Sequence, residues 1–361
     1  MLKLEAQIAK ARKRVHRDGY DMSFGELASM YERSELIINP EYQRLFRWTE
    51  DKKTAFVESL LLGIPIPPIF IFTRADSTWE LIDGLQRVST ILQLMGILQA
   101  LDGQVGPRFT LGTSDLLPDL EGRFWPQPGE GNNPKALDQS QQIAVRRSRI
   151  RVEILDQQTD PEVKFELFQR LNTGGTNLSE QEVRNCIIAS LSSDIYSLLL
   201  EMAEYLPFVE ITDIGDQREK RQYRLELLIR FLVLRNFEYT TDVDVHRYLD
   251  RGIISLLQEK EFDWKAERKN FEKTMSALFQ AVGVDAFRSN KRFSLGKYEF
   301  AVLGLSRALD EDSSISLQWI KQKVEGITSL PEFKKYSGAG VRGTQRLAKL
   351  VMPLSTPYFA D

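Results

Sequence analysis

Hydrophobic and polar positions in the first half of the chain follow a pattern that predicts a mixture of strands and helices. Two-residue alternation in short apolar runs favours strands, whereas apolar residues three and four positions apart favour helices. Breaks at glycine and proline limit these elements, as at Gly63, after which the segment IPIPP must be extended. The predicted elements are a helix capped at Ser23 and ending at Tyr31, strands at 35–39, 69–73 and 79–83, helices at 50–62 and 85–100, and strand character at 141–155.

After residue 160 the pattern becomes almost entirely helical. Residues 102–140, rich in Gly, Pro, Asn and Asp, interrupt the mixed part as a long insertion. The predicted fold class is therefore α+β, with a basic arm at 1–19, a mixed α/β domain at 20–195 and a mainly helical domain at 196–361. The predicted helices of the second part span 161–171, 179–190, 193–205, 218–236, 244–258, 264–281, 297–309 and 315–325.

Composition and charge narrow the possible functions. Of the 361 residues, 42% are hydrophobic and 27% are charged, which is ordinary for a folded soluble protein. The 48 basic and 51 acidic residues leave a net charge of −3, so nucleic acid would have to bind a local basic patch. No apolar run reaches the about 18 residues of a membrane span. We therefore expect a cytoplasmic protein.

Cysteine and histidine are too scarce for several kinds of site. Cys186 is the only cysteine, and His16 and His246 are the only histidines. These numbers argue against an intrachain disulfide, a cysteine-based zinc site and a histidine-dependent ββα-metal nuclease. Candidate chemistry must therefore come from carboxylates, amides, arginines and lysines.

The segment DGLQR, residues 83–87, lies where a predicted strand becomes a predicted helix. Gly84 permits a tight turn, and the first helical turn offers unpaired N–H groups and the positive end of the helix dipole to an anion. Gln86 and Arg87 add side-chain donors suited to phosphate, and Asp83 could orient a water molecule or bind a metal ion. An alternative is that Asp83 caps the helix and Arg87 pairs with a nearby carboxylate.

A second cluster, YQRLFRW at 42–48, combines arginines with aromatic residues. Arg44 and Arg47 could hold phosphate beside the flat faces of Tyr42, Phe46 and Trp48. It is equally compatible with a loop whose aromatic residues enter the core while its arginines face water.

The third cluster is NTGGTNLSEQEVRN, residues 172–185. Its glycines end one helix, and Ser179 with Glu182 forms a capping box for the next. That interpretation does not explain why Arg170, Asn172, Arg184 and Asn185 cluster around one turn. Glu182 could also act as a base or a metal ligand. Further along, a glycine-containing basic segment at 334–346 suits a nucleic-acid backbone, although an exposed loop would show the same pattern. Its candidate contacts are Lys334, Lys335, Arg342 and Arg346.

Four ordered motifs together resemble the N-terminal domain family of GmrSD-type restriction endonucleases, domain-of-unknown-function family 262. They are NPEYQRLFRW, ESLLLGIPIPPIF, LIDGLQR and FQRLNTGGTNLSEQEVRN, and the resemblance covers roughly residues 20–190. The resemblance implies a ParB/sulfiredoxin-like core that binds a nucleoside triphosphate, with Mg²⁺, at the strand-to-helix turn. The family hallmark Asp-Gly-Gln-Gln-Arg has Leu85 in place of its first Gln here.

The same resemblance implies a role in antiphage restriction, with nucleotide binding or hydrolysis coupled to DNA sensing. Because neither histidine lies in an HNH-type motif, we expect the chain either to act as a stand-alone sensor or NTPase or to recruit a nuclease or another defence-system subunit. The resemblance carries over to Asp83, Gly84, Gln86 and Arg87. The candidate catalytic residues are Asp83, Gln86 and Arg87, with Asp83 also the candidate metal ligand. The candidate nucleotide contacts are Tyr42, Gln43, Arg44, Arg47, Gly84, Gln86, Arg87, Asn172, Gly174 and Gly175. The alternatives are a DNA-binding or DNA-nicking protein whose pocket receives a DNA phosphate, and a non-catalytic scaffold with a vestigial pocket.

Overall fold

The computed structural model divides the chain into two compact units, Met1–Asn177 and Leu178–Asp361. The predicted domain boundary at 195/196 lies 18 residues after this division. The structure describes residues 4–5, 17–43, 46–74, 76–100, 103–131, 133–155, 167, 170, 179–212, 222–240, 243–289, 292–338 and 340–360.

A mixed five-stranded sheet forms the centre of the first unit. Its strand order is β1-β5-β3-β4-β2. β3 pairs with β5 in parallel and with β4 antiparallel, β1 pairs with β5 antiparallel, and the short β2 pairs with β4 in parallel. The strands are β1 Arg17–Ser23, β2 Leu36–Ile37, β3 Ile69–Thr73, β4 Trp79–Asp83 and β5 Arg149–Leu155.

The helices of the first unit begin and end at residues suited to those positions. Ser23, Thr49 and Asp138 each accept a first-turn backbone N–H through a side-chain oxygen. Gly63 and Gly96 end two of the helices in the left-handed conformation, with φ of 71° and 72°. The helices are α1 Phe24–Glu32, α2 Pro40–Gln43, α3 Glu50–Leu62, α4 Leu85–Met95 and α5 Gln139–Arg147.

One face of β5 is turned towards the core of the first unit and the other towards solvent. Along β5, buried Ile150 and Val152 alternate with exposed Arg149 and Arg151, the pattern of a strand with one covered face. The helices supply the other half of this core through Val57, Leu60, Val88, Ile91, Leu92 and Val145.

Several predicted elements of this unit are confirmed, and others are wrong at their ends. The helix at 50–62 and the strands at 69–73 and 79–83 are present as predicted. The helix predicted at 85–100 stops at Met95, because Gly96 reverses the backbone. Residues 141–147, for which strand character was predicted, belong to α5, and residues 17–19 of the predicted arm belong to β1. Sheet pairing and capping, rather than apolar periodicity, set these elements.

The second unit is a helical assembly around one large apolar core. Fully buried Phe231, Phe271, Phe300 and Tyr298 lie in that core. The described helices are α6 Glu180–Leu191, α7 Ser193–Ala203, α8 Leu206–Thr212, α9 Tyr223–Asn236, α10 Val245–Gln258, α11 Trp264–Val282, α12 Leu295–Glu311, α13 Leu317–Gly326, α14 Pro331–Tyr336, α15 Gly343–Arg346 and α16 Met352–Ala360. A two-stranded hairpin, β6 Arg288–Ser289 and β7 Arg292–Phe293, precedes α12.

Buried ion pairs tie several of these helices together. Glu299 of α12 is fully buried and accepts from Arg230 of α9 at 2.7 Å and from Arg346 of α15 at 2.6 Å. The hydroxyl of buried Tyr298 donates to the carbonyl oxygen of Leu227 at 2.6 Å. Because an unpaired buried charge is costly, these contacts fix which faces of the helices meet.

The architecture is α+β, with a mixed sheet in the first unit and mainly helices in the second, which confirms the predicted fold class. None of the described helices combines the length and the apolar character needed to cross a membrane.

Candidate functional site

The turn between β4 and α4 has a backbone conformation that favours glycine. Gly84 has φ of 97°, in the left-handed region. A Cβ atom at this position would lie 2.3 Å from Cγ2 of Ile69, the first residue of β3. The turn is therefore packed directly on the neighbouring strand, with no space for a side chain.

Asp83 and Arg87 form an ion pair across this turn. Arg87 Nη2 lies 2.8 Å from Asp83 Oδ2, and Arg87 Nη1 donates to the carbonyl oxygen of Pro67 at 2.6 Å. The Arg87 and Asp83 side chains are only 13% and 21% exposed. The interpretation of Arg87 as the partner of a nearby carboxylate is thus confirmed, and that carboxylate is Asp83 itself.

Burial and nearby positive charge shift the pKa of Asp83 in opposite directions. Burial raises the pKa of its carboxyl group above the usual value, while attraction to Arg87 and the N–H of Gly84 oppose the rise. A carboxylate with a raised pKa at the end of a strand can accept a proton more readily than an exposed aspartate.

Gln86 has a structural contact that the sequence reasoning missed. Its side-chain oxygen accepts hydrogen bonds from the backbone N–H groups of Arg47 and Trp48, each at 3.0 Å. The residue predicted to offer donors to phosphate therefore also holds the aromatic segment against the start of α4. The sequence gives no signal for this contact, because the acceptor side chain and the two backbone N–H groups are 38 and 39 residues apart.

The N-terminal end of α4 is not capped by a side chain. Gly84 occupies its N-cap position, whereas Ser23, Thr49 and Asp138 cap α1, α3 and α5. The first backbone N–H groups of a helix have no partner within the helix. An anion at the start of α4 would meet these donors and the positive end of the dipole.

Leu85 is the first residue of α4 and directly follows Gly84. Its side chain is only 3% exposed and belongs to the apolar core. The apolar residue therefore suits the burial of this position.

Segment 42–48 mixes core residues with exposed ones. Tyr42 is 4% exposed, so its ring belongs to the core, while Arg47 is exposed. Gln43 donates through its side chain to the carbonyl oxygen of Gln99, and the Trp48 ring contacts Phe56 with centroids 5.6 Å apart. Arg44 lies outside the described residues, as do Asn172, Gly174 and Gly175.

Lys53 is a further cation beside this segment that the sequence reasoning missed. Its Nζ lies 4.5 Å from the ring centroid of Phe46 and donates to Gln93 Oε1 at 2.8 Å. Burial lowers the pKa of Lys53. A sequence signal was present, because Lys53 falls on the apolar stripe of α3 with Phe56, Val57 and Leu60.

Residues 179–185, the last part of the third motif, lie in the second unit, where they cap a helix and pair with other residues of that unit. Ser179 and Glu182 form the predicted capping box of α6. Arg184 is 1% exposed and pairs with Asp250 of α10, with Nε 2.6 Å from Oδ1. Burial raises the pKa of Asp250 to about 6 against the opposing attraction of Arg184. Asn185 donates to Gln222, so Arg184 and Asn185 hold neighbouring helical elements together.

The predicted nucleic-acid segment of the second unit has two kinds of basic residue. Lys334 and Lys335 are exposed on α14, and exposed Arg342 precedes α15. Arg346 instead directs Nε and Nη2 to the buried carboxylate of Glu299. Its charge is therefore compensated within the fold.

A dedicated metal centre finds no support in the described part of the chain. No group of three or more His, Cys, Asp or Glu residues that could hold a metal ion occurs there. At the β4–α4 turn the carboxylate of Asp83 could supply one oxygen ligand. Mg²⁺ in phosphate-binding sites commonly takes one or two carboxylates and completes its shell with substrate phosphates and water.

Comparison with known proteins identifies the family of the N-terminal part. Residues 24–189 match the family described as GmrSD restriction endonuclease, N-terminal domain. The match contains the β4–α4 turn and ends within α6, and this part of the chain belongs to that family. No curated protein and no solved structure matches the chain. The coarse functional class is restriction-type defence, and the ParB/sulfiredoxin-like relation stays a prediction.

Substituting alanine for Gly84 is expected to destabilise the first unit more than the same change at Gly63. Both glycines have positive φ, but a Cβ at Gly63 meets nothing within 4 Å. Overlap with Ile69 should therefore add about 1–3 kcal/mol to the loss in the Gly84 variant. Urea denaturation of the two variants measures the difference. Equal losses would show that the turn can move away from β3.

Replacing Gln86 by methionine is expected to loosen the segment that carries Arg47 and Trp48. Two backbone N–H groups lose their acceptor, at about 1 kcal/mol each, so local opening should become about tenfold more frequent or greater. Native-state trypsin cleavage after Arg44 and Arg47 measures this opening. Gln86→Glu, which keeps an oxygen acceptor, is the control. Cleavage of the methionine variant at the wild-type rate would contradict the assigned contact.

Proposed function

We propose that the first unit binds a nucleoside triphosphate at the β4–α4 turn and hydrolyses it as part of a DNA restriction function. The observation that carries this proposal is the start of α4: a left-handed glycine with no side-chain cap, followed within one turn by Arg87. Backbone N–H groups, a helix dipole and a guanidinium at one place are a phosphate-binding combination.

Arg87 is pre-positioned for this role by the contacts that now restrain it. Asp83 and the Pro67 carbonyl hold the guanidinium beside the start of α4. A bound phosphate would compete with Asp83 for the same donors, because both are anions that accept from Arg87. Nucleotide binding would then release the Asp83 carboxylate from its ion pair.

The remaining contacts of the nucleotide are assigned from the motifs. Arg47 would approach from the segment that Gln86 holds beside the turn. Gln43 and Arg44 belong to the same segment, and Tyr42 supports it from the core rather than stacking on a base. Asn172, Gly174 and Gly175 would supply backbone or amide contacts from the third motif.

Asp83 is the residue assigned to hydrolysis. A bound triphosphate supplies the phosphoanhydride bond, and the protein must position the attacking water and offset negative charge. Asp83, with its raised pKa, would accept a hydrogen bond from water or supply one ligand to Mg²⁺. Arg87 and Gln86 would stabilise charge on the phosphate.

The proposed nucleotide cycle would regulate restriction of foreign DNA. Only two histidines occur in the sequence, neither in an HNH-type motif, so we assign DNA cleavage to a separate nuclease partner.

Nucleotide binding is expected to raise the melting temperature of the wild-type protein by several degrees. A ligand at a hundred times its Kd adds roughly 2.7 kcal/mol to the stability of the folded state. ATP, GTP, CTP and UTP are each tested with Mg²⁺ on the wild type and on Arg87→Ala. The variant should lose the shift, since its phosphate fork is gone.

Each shift is referred to the same variant without nucleotide, because Arg87 also holds Asp83 and Pro67. Arg33→Ala serves as the matched control: Arg33 is an exposed arginine of the same unit, paired with Glu35 on the surface. A wild-type shift in the Arg87 variant would overturn the site assignment. The absence of any shift in the wild-type protein would overturn nucleotide binding itself.

Replacing Asp83 by alanine is expected to preserve nucleotide binding but to abolish turnover. Removal of the carboxylate frees Arg87 for the phosphate, so the affinity should be unchanged or higher. Release of inorganic phosphate under saturating nucleotide and Mg²⁺ measures turnover. Turnover within about tenfold of wild type would exclude Asp83 from general-base chemistry, whose usual contribution is 10²–10⁴-fold.

A further inference from the structure

A groove of about 280 Å³ lies beside the edge of the sheet, apart from the residues of the β4–α4 turn. Its apolar wall is formed by the end of α3 and the extended residues Ile64, Pro65 and Ile66, and its polar wall by Asp21, Arg149 and Arg151. None of the motifs considered for nucleotide binding uses this polar wall.

Four arginines lie close together in sequence where α5 ends and β5 begins, and two of them, Arg149 and Arg151, line the groove. Arg146, Arg147, Arg149 and Arg151 occupy four of six consecutive positions, and all four are exposed. Arg149 and Arg151 point to the same side of β5, because successive strand residues alternate between faces. The intervening Ile150 is buried, which fixes this orientation.

These positive charges are only partly compensated. Arg151 lies 3.0 Å from Glu153 and 3.8 Å from Asp21. Within the described residues, no carboxylate lies within ion-pair distance of Arg147 or Arg149. The guanidinium carbon of Arg146, Cζ, lies 5.7 Å from the ring centroid of Trp125. The surface therefore keeps a local excess of positive charge on a chain whose net charge is −3.

Helix termination explains part of this cluster but not all of it. Arg146 and Arg147 lie in the last turn of α5, where basic residues favourably offset the helix dipole. Arg149 and Arg151 belong to a strand, which has no comparable dipole. The helix dipole therefore accounts for Arg146 and Arg147 but not for Arg149 and Arg151.

The groove opens at the same edge of the sheet as the β4–α4 turn. Ile69, the first residue of β3, pairs with Val152 of β5, and the next residue, Phe70, pairs with Asp83 at the end of β4. Arg149 and Arg151 precede Val152, so they lie at the end of the sheet where β3 begins and β4 ends. The segment 64–67 connects the two places: Ile64 to Ile66 line the groove, while Pro67 accepts a hydrogen bond from Arg87.

We propose that this arginine groove binds the phosphate backbone of duplex DNA. Arginines spaced along an open groove match a polyanion of regularly spaced phosphates, and such contacts position a protein on DNA without reading its sequence. A restriction-type protein meets DNA as its polyanionic partner. The arginine groove is separate from the β4–α4 turn, so DNA binding in the groove does not require a nucleotide at the turn.

The test is fluorescence anisotropy with two labelled duplexes of unrelated sequence, titrated with the full chain at several salt concentrations and without nucleotide. Arg149→Gln/Arg151→Gln should weaken binding to both duplexes equally and lower the slope of log affinity against log salt by about two. Arg33→Gln/Lys52→Gln is the control, because it removes the same charge from exposed positions elsewhere in the first unit. All four side chains are exposed, and melting temperatures confirm that each variant is folded.

Several outcomes would overturn the proposal. One is wild-type protein that does not bind duplex DNA; another is a groove variant that binds as well as the control. If polyglutamate displaced the labelled duplex as effectively as unlabelled DNA of equal charge, the surface would be assigned to an acidic protein partner instead. Because nucleotide is absent throughout, none of these results depends on the thermal-shift experiment at the β4–α4 turn.

Discussion

The direct packing of the β4–α4 turn on β3 is the constraint on which the candidate site depends. Gly84 has positive φ, and a side chain there would overlap Ile69. This close approach starts α4 immediately after the sheet edge and leaves its first N–H groups without a side-chain cap. A different residue at position 84 would move the helix start, and with it both Gln86 and Arg87.

Three separated motifs meet through the side chains of this one turn. Arg87 connects Asp83 to the carbonyl oxygen of Pro67, and Gln86 connects the helix to the backbone of Arg47 and Trp48. The extended prolines of segment 64–68 are therefore held at one side of the turn and the aromatic segment at another. A ligand that drew Arg87 away from Asp83 would change contacts of the segment that also lines the arginine groove.

Charged residues serve different purposes in the two units. In the second unit, Arg184, Arg230 and Arg346 compensate buried Asp250 and Glu299, and so determine which helices pack together. In the first unit, Arg149 and Arg147 remain exposed without such carboxylates among the described residues. Residue type alone does not separate these cases: Arg346 resembles Arg342 in sequence, yet it pairs with the carboxylate of Glu299.

The sequence by itself determined the α+β class, the limits of α3, β3 and β4 and the glycine turn at 84, because caps, prolines and apolar periodicity act over a few residues. Its ordered motifs also indicated the family of the N-terminal part. It also offered the pairing of Arg87 with a nearby carboxylate as an alternative to phosphate binding, and the structure shows that this carboxylate is Asp83, one helical turn away. Only the tertiary structure decided that Gln86 accepts from a segment 38 and 39 residues away, that residues 17–23 complete the sheet and that Arg346 is paired. These outcomes depend on contacts between residues that are far apart in sequence, and local sequence patterns do not determine which distant residues come into contact.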